Sequence, residues 1–77
     1  MKSYINNTRF DSIITVNIES VGDVDKTLEI SEIGNKNVWT VLPAGLGIHD
    51  VHVPAGKELR PNVNTVMTFV AIRNAPH

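Results

Sequence analysis

The sequence predicts an all-β fold: a small antiparallel β-sandwich or barrel of five to six short strands, with an extended N-terminal arm. Three observations predict it. Apolar and polar residues alternate over Ile13 to Ser20 and Thr27 to Ile33, the period of two that a half-buried strand needs. No window carries the i, i+3, i+4, i+7 apolar spacing of an amphipathic helix. Clusters of Gly, Pro, Asn and Asp recur at roughly 8- to 12-residue intervals, the spacing of turns in small sandwiches and barrels.

The elements follow in order. Residues 1–12 have no period; Ile5 and Phe10 stand isolated among Asn, Thr, Lys and Arg, which predicts an arm preceding a single β domain over 13–77. Ile13 to Ser20 is the clearest strand, with Ile14, Val16 and Ile18 sharing one face. Val21 to Lys26 holds Gly22, Asp23 and Asp25 and reads as a turn. Thr27 to Ile33 is the second strand, with Leu28 and Ile30 inward. Gly34-Asn35-Lys36-Asn37 is a hairpin-length loop, and Val38 to Leu42 is the third strand.

The stretch Leu42 to Arg60 organises the rest. The tetrapeptide apolar-Pro-Ala-Gly occurs twice, as Leu42-Pro43-Ala44-Gly45 and Val53-Pro54-Ala55-Gly56. Each suits a type I turn, with Pro at the second position and Gly at the fourth. Two such turns around Leu46 to Val53 predict a strand with antiparallel neighbours on both sides. Within it the alternation slips, because Leu46 and Ile48 have one parity and Val51 and Val53 the other. A β-bulge near His49-Asp50 returns all four to one face; the alternative is a strand apolar on both faces with partly buried histidines. Lys57 to Asn64 follows, anchored by Leu59 and Val63, with Pro61 arguing against a central position. Thr65 to Arg73 is the last strand. Val66, Thr68, Val70 and Ile72 share one face and Met67, Phe69 and Ala71 the other, which suits a central strand or a subunit contact. Asn74 to His77 is a polar tail.

Composition narrows the function. The chain has 77 residues, 42% hydrophobic and 19% charged, with a net charge of −1. One domain is expected. A core of this size without Cys gains from oligomerisation or from docking on a larger assembly. The charge balance points to neither nucleic acid nor an anionic membrane. No apolar segment after Met1 reads as a signal peptide or a membrane helix, and the sequon Asn6-Asn7-Thr8 reads as chance.

The dense polar cluster is His49, Asp50 and His52, but its spacing matches no strong metal motif, with or without His77. Asp23-Val24-Asp25 lacks the later Gly and Glu of a calcium loop. Gly45-Leu46-Gly47 has Asp50 where a dinucleotide fingerprint has its third Gly. None of Ser3, Ser12, Ser20 and Ser31 sits in a nucleophile elbow. The expectation is a protein that is not an enzyme and has no cofactor and no metal. Trp39 suits a core position or a sugar platform.

The second half, Val41 to Ile72, resembles small all-β virion proteins of tailed bacteriophages. The resembling features are the strand ending in Val53-Pro54-Ala55-Gly56, the link Leu59 to Val63, and a final Thr/Val/Ile strand ending in Ala71-Ile72. The resemblance implies a decoration or cement protein on the phage head surface, or a spike base. It implies a homo-trimer on the major capsid protein. It carries no catalytic residues. The expected interface residues are Ile5, Phe10, His49, His52, Met67 and Phe69. The alternative is a small β-sandwich that binds carbohydrate or single-stranded nucleic acid.

Overall fold

The structure, a computed structural model, describes residues 3–23, 25–34 and 38–75, without the side chains of Val38 and Trp39. These residues form β1 (Tyr4–Ile5), β2 (Ser12–Ser20), β3 (Leu28–Glu32), β4 (Val38–Leu42), β5 (Gly47–Val53), β6 (Lys57–Pro61) and β7 (Val66–Asn74), with no helix among them. Two antiparallel sheets result, one ordered β1-β6-β3-β4 and the other β5-β2-β7. The all-β expectation holds, and six of the seven strands fall on the segments read from the sequence as strands. Residues 35–37 of the expected loop, the Trp39 side chain and His77 lie outside what is described.

The core forms where the inner faces of the two sheets meet. Ile14, Val16 and Ile18 of β2, Leu28 and Ile30 of β3, Val51 and Val53 of β5 and Leu59 of β6 are buried. Strand β2 sits at the centre of its sheet, so its inward side chains are covered from both sides. Truncating such a residue removes its transfer energy and leaves a cavity as well.

The stretch Leu42–Arg60 is arranged differently from its sequence reading. Strand β5 pairs with neither β4 nor β6; it pairs with β2, from Ser12↔Val53 to Ile18↔Gly47. The two Pro-Ala-Gly segments are therefore crossings between sheets, not hairpin turns within one. The second crossing turns one residue later than expected. Lys57 N donates to Pro54 O (3.1 Å) and Gly56 has φ 80°, so Gly56 stands at the third turn position, where a positive φ favours glycine. The register of β5 on β2 runs without a shift, so the expected bulge at His49-Asp50 is absent. Register shifts lie elsewhere, between β2 and β7 and between β3 and β4.

Two further expectations are corrected. Strand β6 is interior, flanked by β1 and β3. Pro61 is tolerated because β1 reaches only Glu58 and Leu59, so no strand asks Pro61 for a donor on that side. Val63 is exposed and anchors nothing, whereas Leu59 is fully buried.

The extended arm expected over residues 1–12 is not confirmed. Tyr4 and Ile5 pair with Leu59 and Glu58, and the Tyr4 hydroxyl donates to Ser12 Oγ at 3.3 Å. Asn6 is fully buried. Its backbone N donates to Lys57 O (2.9 Å) and its carbonyl accepts from Gly56 N (2.8 Å). Its Nδ2 donates to Phe10 O (2.9 Å) and Val53 O (3.0 Å). Its Oδ1 accepts from Thr8 N (3.2 Å) and Thr8 Oγ1 (2.6 Å). The sequon asparagine is thus a packed structural residue whose amide has no room for a glycan in the folded chain.

Asn6→Ala strips donors from two carbonyls and empties a packed site. An unmade buried hydrogen bond costs about 1–3 kcal/mol, so a loss of roughly 2–4 kcal/mol is expected in urea unfolding, with Asn7→Ala near neutral because Asn7 is exposed.

Candidate functional site

Three surface features are candidates: a polar cluster on the outer face of β5-β2-β7, a cleft between the sheets, and the free edge of β7. The polar cluster follows from register. Thr15 lies opposite Asp50 on one side and Ala71 on the other, and Ile13 lies between His52 and Arg73. Thr15 Oγ1 donates to Asp50 Oδ1 at 2.6 Å. The Arg73 guanidinium donates through Nη1 to Thr15 Oγ1 and through Nη2 to Asp50 Oδ2, each at 3.2 Å. The hydrogen bond from Thr15, and then the one from Arg73, hold the Asp50 carboxyl below its ordinary range. Beside this cluster, His52 Nε2 meets Asp11 Oδ2 at 2.9 Å, and Asp11 Oδ1 accepts from Ala55 N at 3.0 Å.

The cleft has a volume of about 510 Å³ and runs between β3 and β4 on one side and β5 on the other. Leu28, Ile30 and Val51 line it with Leu42, Pro43, Ala44 and Pro54, and its polar lining is Thr40, His49, Asp50 and His52. Inward positions of β3 are almost fully covered, while Leu42 on the outer strand β4 is only half-buried; the layers open toward their β4 and β5 edges. His49 faces this inner side, and its Nε2 lies 2.8 Å from Gly45 O. A carbonyl only accepts, so Nε2 carries the hydrogen.

The two histidines therefore lie on opposite faces of one strand. Among the described residues, no three His, Asp or Glu side chains come together in a group suited to a metal ion. None of the hydrogen bonds at either imidazole involves a serine or threonine hydroxyl, the contact a histidine needs to activate a nucleophile.

The remaining expected interface residues divide. Ile5 and Phe10 are about half exposed, available for contact yet carried on a segment fixed by Asn6. Met67 and Phe69 are half-buried and pack on the core. Val66, Val70 and Ile72 are the exposed set, at 53%, 58% and 55%. Met67 and Phe69 face the core rather than Thr68 and Val70, and the register shift at Val70 brings Ile72 to the side of Phe69. Leu46 and Ile48, expected inside through the bulge, are also exposed. The signal for β7 is Thr68, a polar residue that marks its own side as the wet one. No comparable signal marks the Thr15–Asp50–Arg73 cluster, whose members come from three adjacent strands that lie far apart in the sequence.

No family model matches the chain, and neither does any curated protein or solved structure.

The Asp50 cluster has a defined pH signature. Carbon-detected titration should give Asp50 a midpoint below the ordinary value near 3.9, and Thr15→Val should move it upward because the largest lowering cause is removed. A native pKa that is depressed adds stability above the ordinary aspartate range, and that increment is lost as pH falls through the lowered pKa. The group is at the surface, so the stability effect is small; the midpoint is the quantity to measure.

Proposed function

We propose that this chain is a structural virion protein, a capsid decoration or cement protein that binds and stabilises a tailed-phage head as an oligomer, with the major capsid protein as partner. The observation that carries the reading is the distribution of apolar surface. Val66, Val70 and Ile72 along β7 and Leu46 and Ile48 at the start of β5 each have more than half their surface exposed. Exposed apolar surface on this scale in a small chain marks contact with another protein. The resemblance of Val41 to Ile72 to phage virion proteins supplies the kind of partner. The polar cluster fits a scaffold role, because Thr15, Asp50 and Arg73 are committed to one another.

The cleft favours a second reading, a small ligand-binding module. Among the described residues its lining contains no Lys or Arg, so it offers nothing to a phosphate backbone, and of its polar side chains Asp50 and His52 are engaged with Thr15, Arg73 and Asp11. An apolar ligand suits it better than either.

The readings separate by experiment. Purified protein mixed with heads that lack it should band with them in a density gradient, in a fixed ratio to the shell protein, and should raise the temperature at which those heads release DNA. Protein that stays at the top of the gradient while binding small apolar compounds would replace the first reading with the second.

A further inference from the structure

We infer that the free edge of β7 pairs with β7 of a second copy, antiparallel and about a twofold axis at Ala71. The inference deepens the assembly reading by naming one partner, and it starts from an unmet backbone requirement. Strand β7 has nine residues and, among the described residues, is hydrogen-bonded on one side only, to β2. Its other side presents a row of unpaired N–H and C=O groups about 30 Å long. Natural edges of this kind are guarded by Lys, by Pro, by shortness or by bulges; β7 has no Lys and no Pro, and its guard is confined to the register shifts at Val70 and near Val66.

Register selects the pairing. Phe69 lies opposite Val16 and Ala71 opposite Thr15, so Val70 is an extra residue at a bulge. With Val70 set aside, Met67, Phe69 and Ile72 have inner-face parity and Thr68, Ala71 and Arg73 outer-face parity. An antiparallel partner keeps faces matched when Ala71 meets Ala71, Ile72 meets Phe69 and Arg73 meets Thr68, twice by symmetry. Ile72, which points inward yet is 55% exposed at the sheet edge, then covers the half-buried Phe69 of the other copy.

Charge agrees with the same register. Thr68 Oγ1 donates to Glu19 Oε2 at 3.3 Å, so the outer face carries a carboxylate beside Thr68 and a guanidinium at Arg73. The Arg73 side chain is 52% exposed in spite of its bonds to Asp50 and Thr15. Antiparallel pairing brings the Arg73 of one copy, still bonded to its own Thr15 and Asp50, to the Thr68–Glu19 side of the other; a parallel meeting of the same edge needs a half-turn about the strand, which puts the two outer faces on opposite sides of the joined sheet. The product is one continuous sheet of six strands, β5-β2-β7 joined to its twofold mate.

Sedimentation equilibrium of the full chain should show a species of twice 8.5 kDa. Ala71→Cys should cross-link on mild oxidation, because directly opposed antiparallel Cα atoms lie about 4.5–5.5 Å apart, within the disulfide range. Thr68→Cys should not cross-link, since its opposite residue is Arg73. Ala71→Asp places two carboxylates face to face and should weaken association by about tenfold or more, with a native circular dichroism spectrum. If that variant fails to fold, the Cys pair decides the matter. A chain that is monomeric at every concentration overturns the pairing. So does an oligomer that Ala71→Asp leaves intact and Ala71→Cys does not cross-link. Head binding is tested separately: a twofold dimer that ignores phage heads removes the decoration role and keeps this contact, and a monomer that bands with heads does the reverse.

Discussion

The fold depends on the satisfaction of backbone polar groups where the chain crosses between sheets. Each crossing passes through Pro-Ala, and Pro brings a carbonyl with no N–H of its own. Groups stranded there, close to the core, need partners from outside the ladders. At Val53-Pro54-Ala55-Gly56 the partner is Asn6, which donates to Val53 O and accepts from Gly56 N. At Leu42-Pro43-Ala44-Gly45 it is Thr27. Thr27 N donates to Leu42 O (3.2 Å), and its Oγ1 donates to Ala44 O (2.7 Å) and accepts from Ala44 N (3.1 Å). Both residues are fully buried. A repeated tetrapeptide is thus matched by a repeated solution, one buried polar residue per crossing.

These two residues also set what surrounds them. Thr27 O accepts from Asn62 N (2.9 Å), which ties the β6–β7 connection to the same point. Close by, Gly22 lies against Asn64, where an added Cβ would come within 2.5 Å of the Asn64 Cβ. The β2–β3 and β6–β7 connections therefore pack against each other with no side chain between them. At the other crossing, Asn6 turns a two-residue strand into a fixed edge for β6. Without it, β1 has little to hold it, since two residues of ladder contribute few hydrogen bonds.

Alternation made much of the fold legible. Ile14, Val16, Ile18, Leu28, Ile30 and Leu59 are inward where their parity puts them. Pairing was illegible, because β2 takes partners far along the chain and no local turn records it. The faces of β7 were ambiguous for a physical reason: with apolar residues at both parities, the free energy of turning either side inward depends on the shape of the opposing layer, which a single strand does not encode. In β5 the parity slip suggested a bulge, yet the sheet edge tolerates Ile48 outward at less cost than a broken ladder. Of the two histidines that the other arrangement leaves partly buried, His49 is half-buried and His52 is exposed. The candidate site was less legible still. His49 and His52 are neighbours in sequence and strangers in space, while Thr15, Asp50 and Arg73 are the reverse.

The long reach of β2 has a consequence for how the chain comes to be folded. Among the described strands, β3 and β4 are the pair joined by a short loop. Strand β2, the most apolar inside the core, pairs with β5 and β7, whose partner residues lie some 29 to 62 positions further along. During synthesis β2 emerges early and stays without a sheet partner until β5 appears, and its second edge stays open until β7 is made. Contacts of such sequence separation make folding slow, because loop closure precedes the reward. The strand that later holds the core together is, for that interval, the segment most exposed to the wrong neighbour.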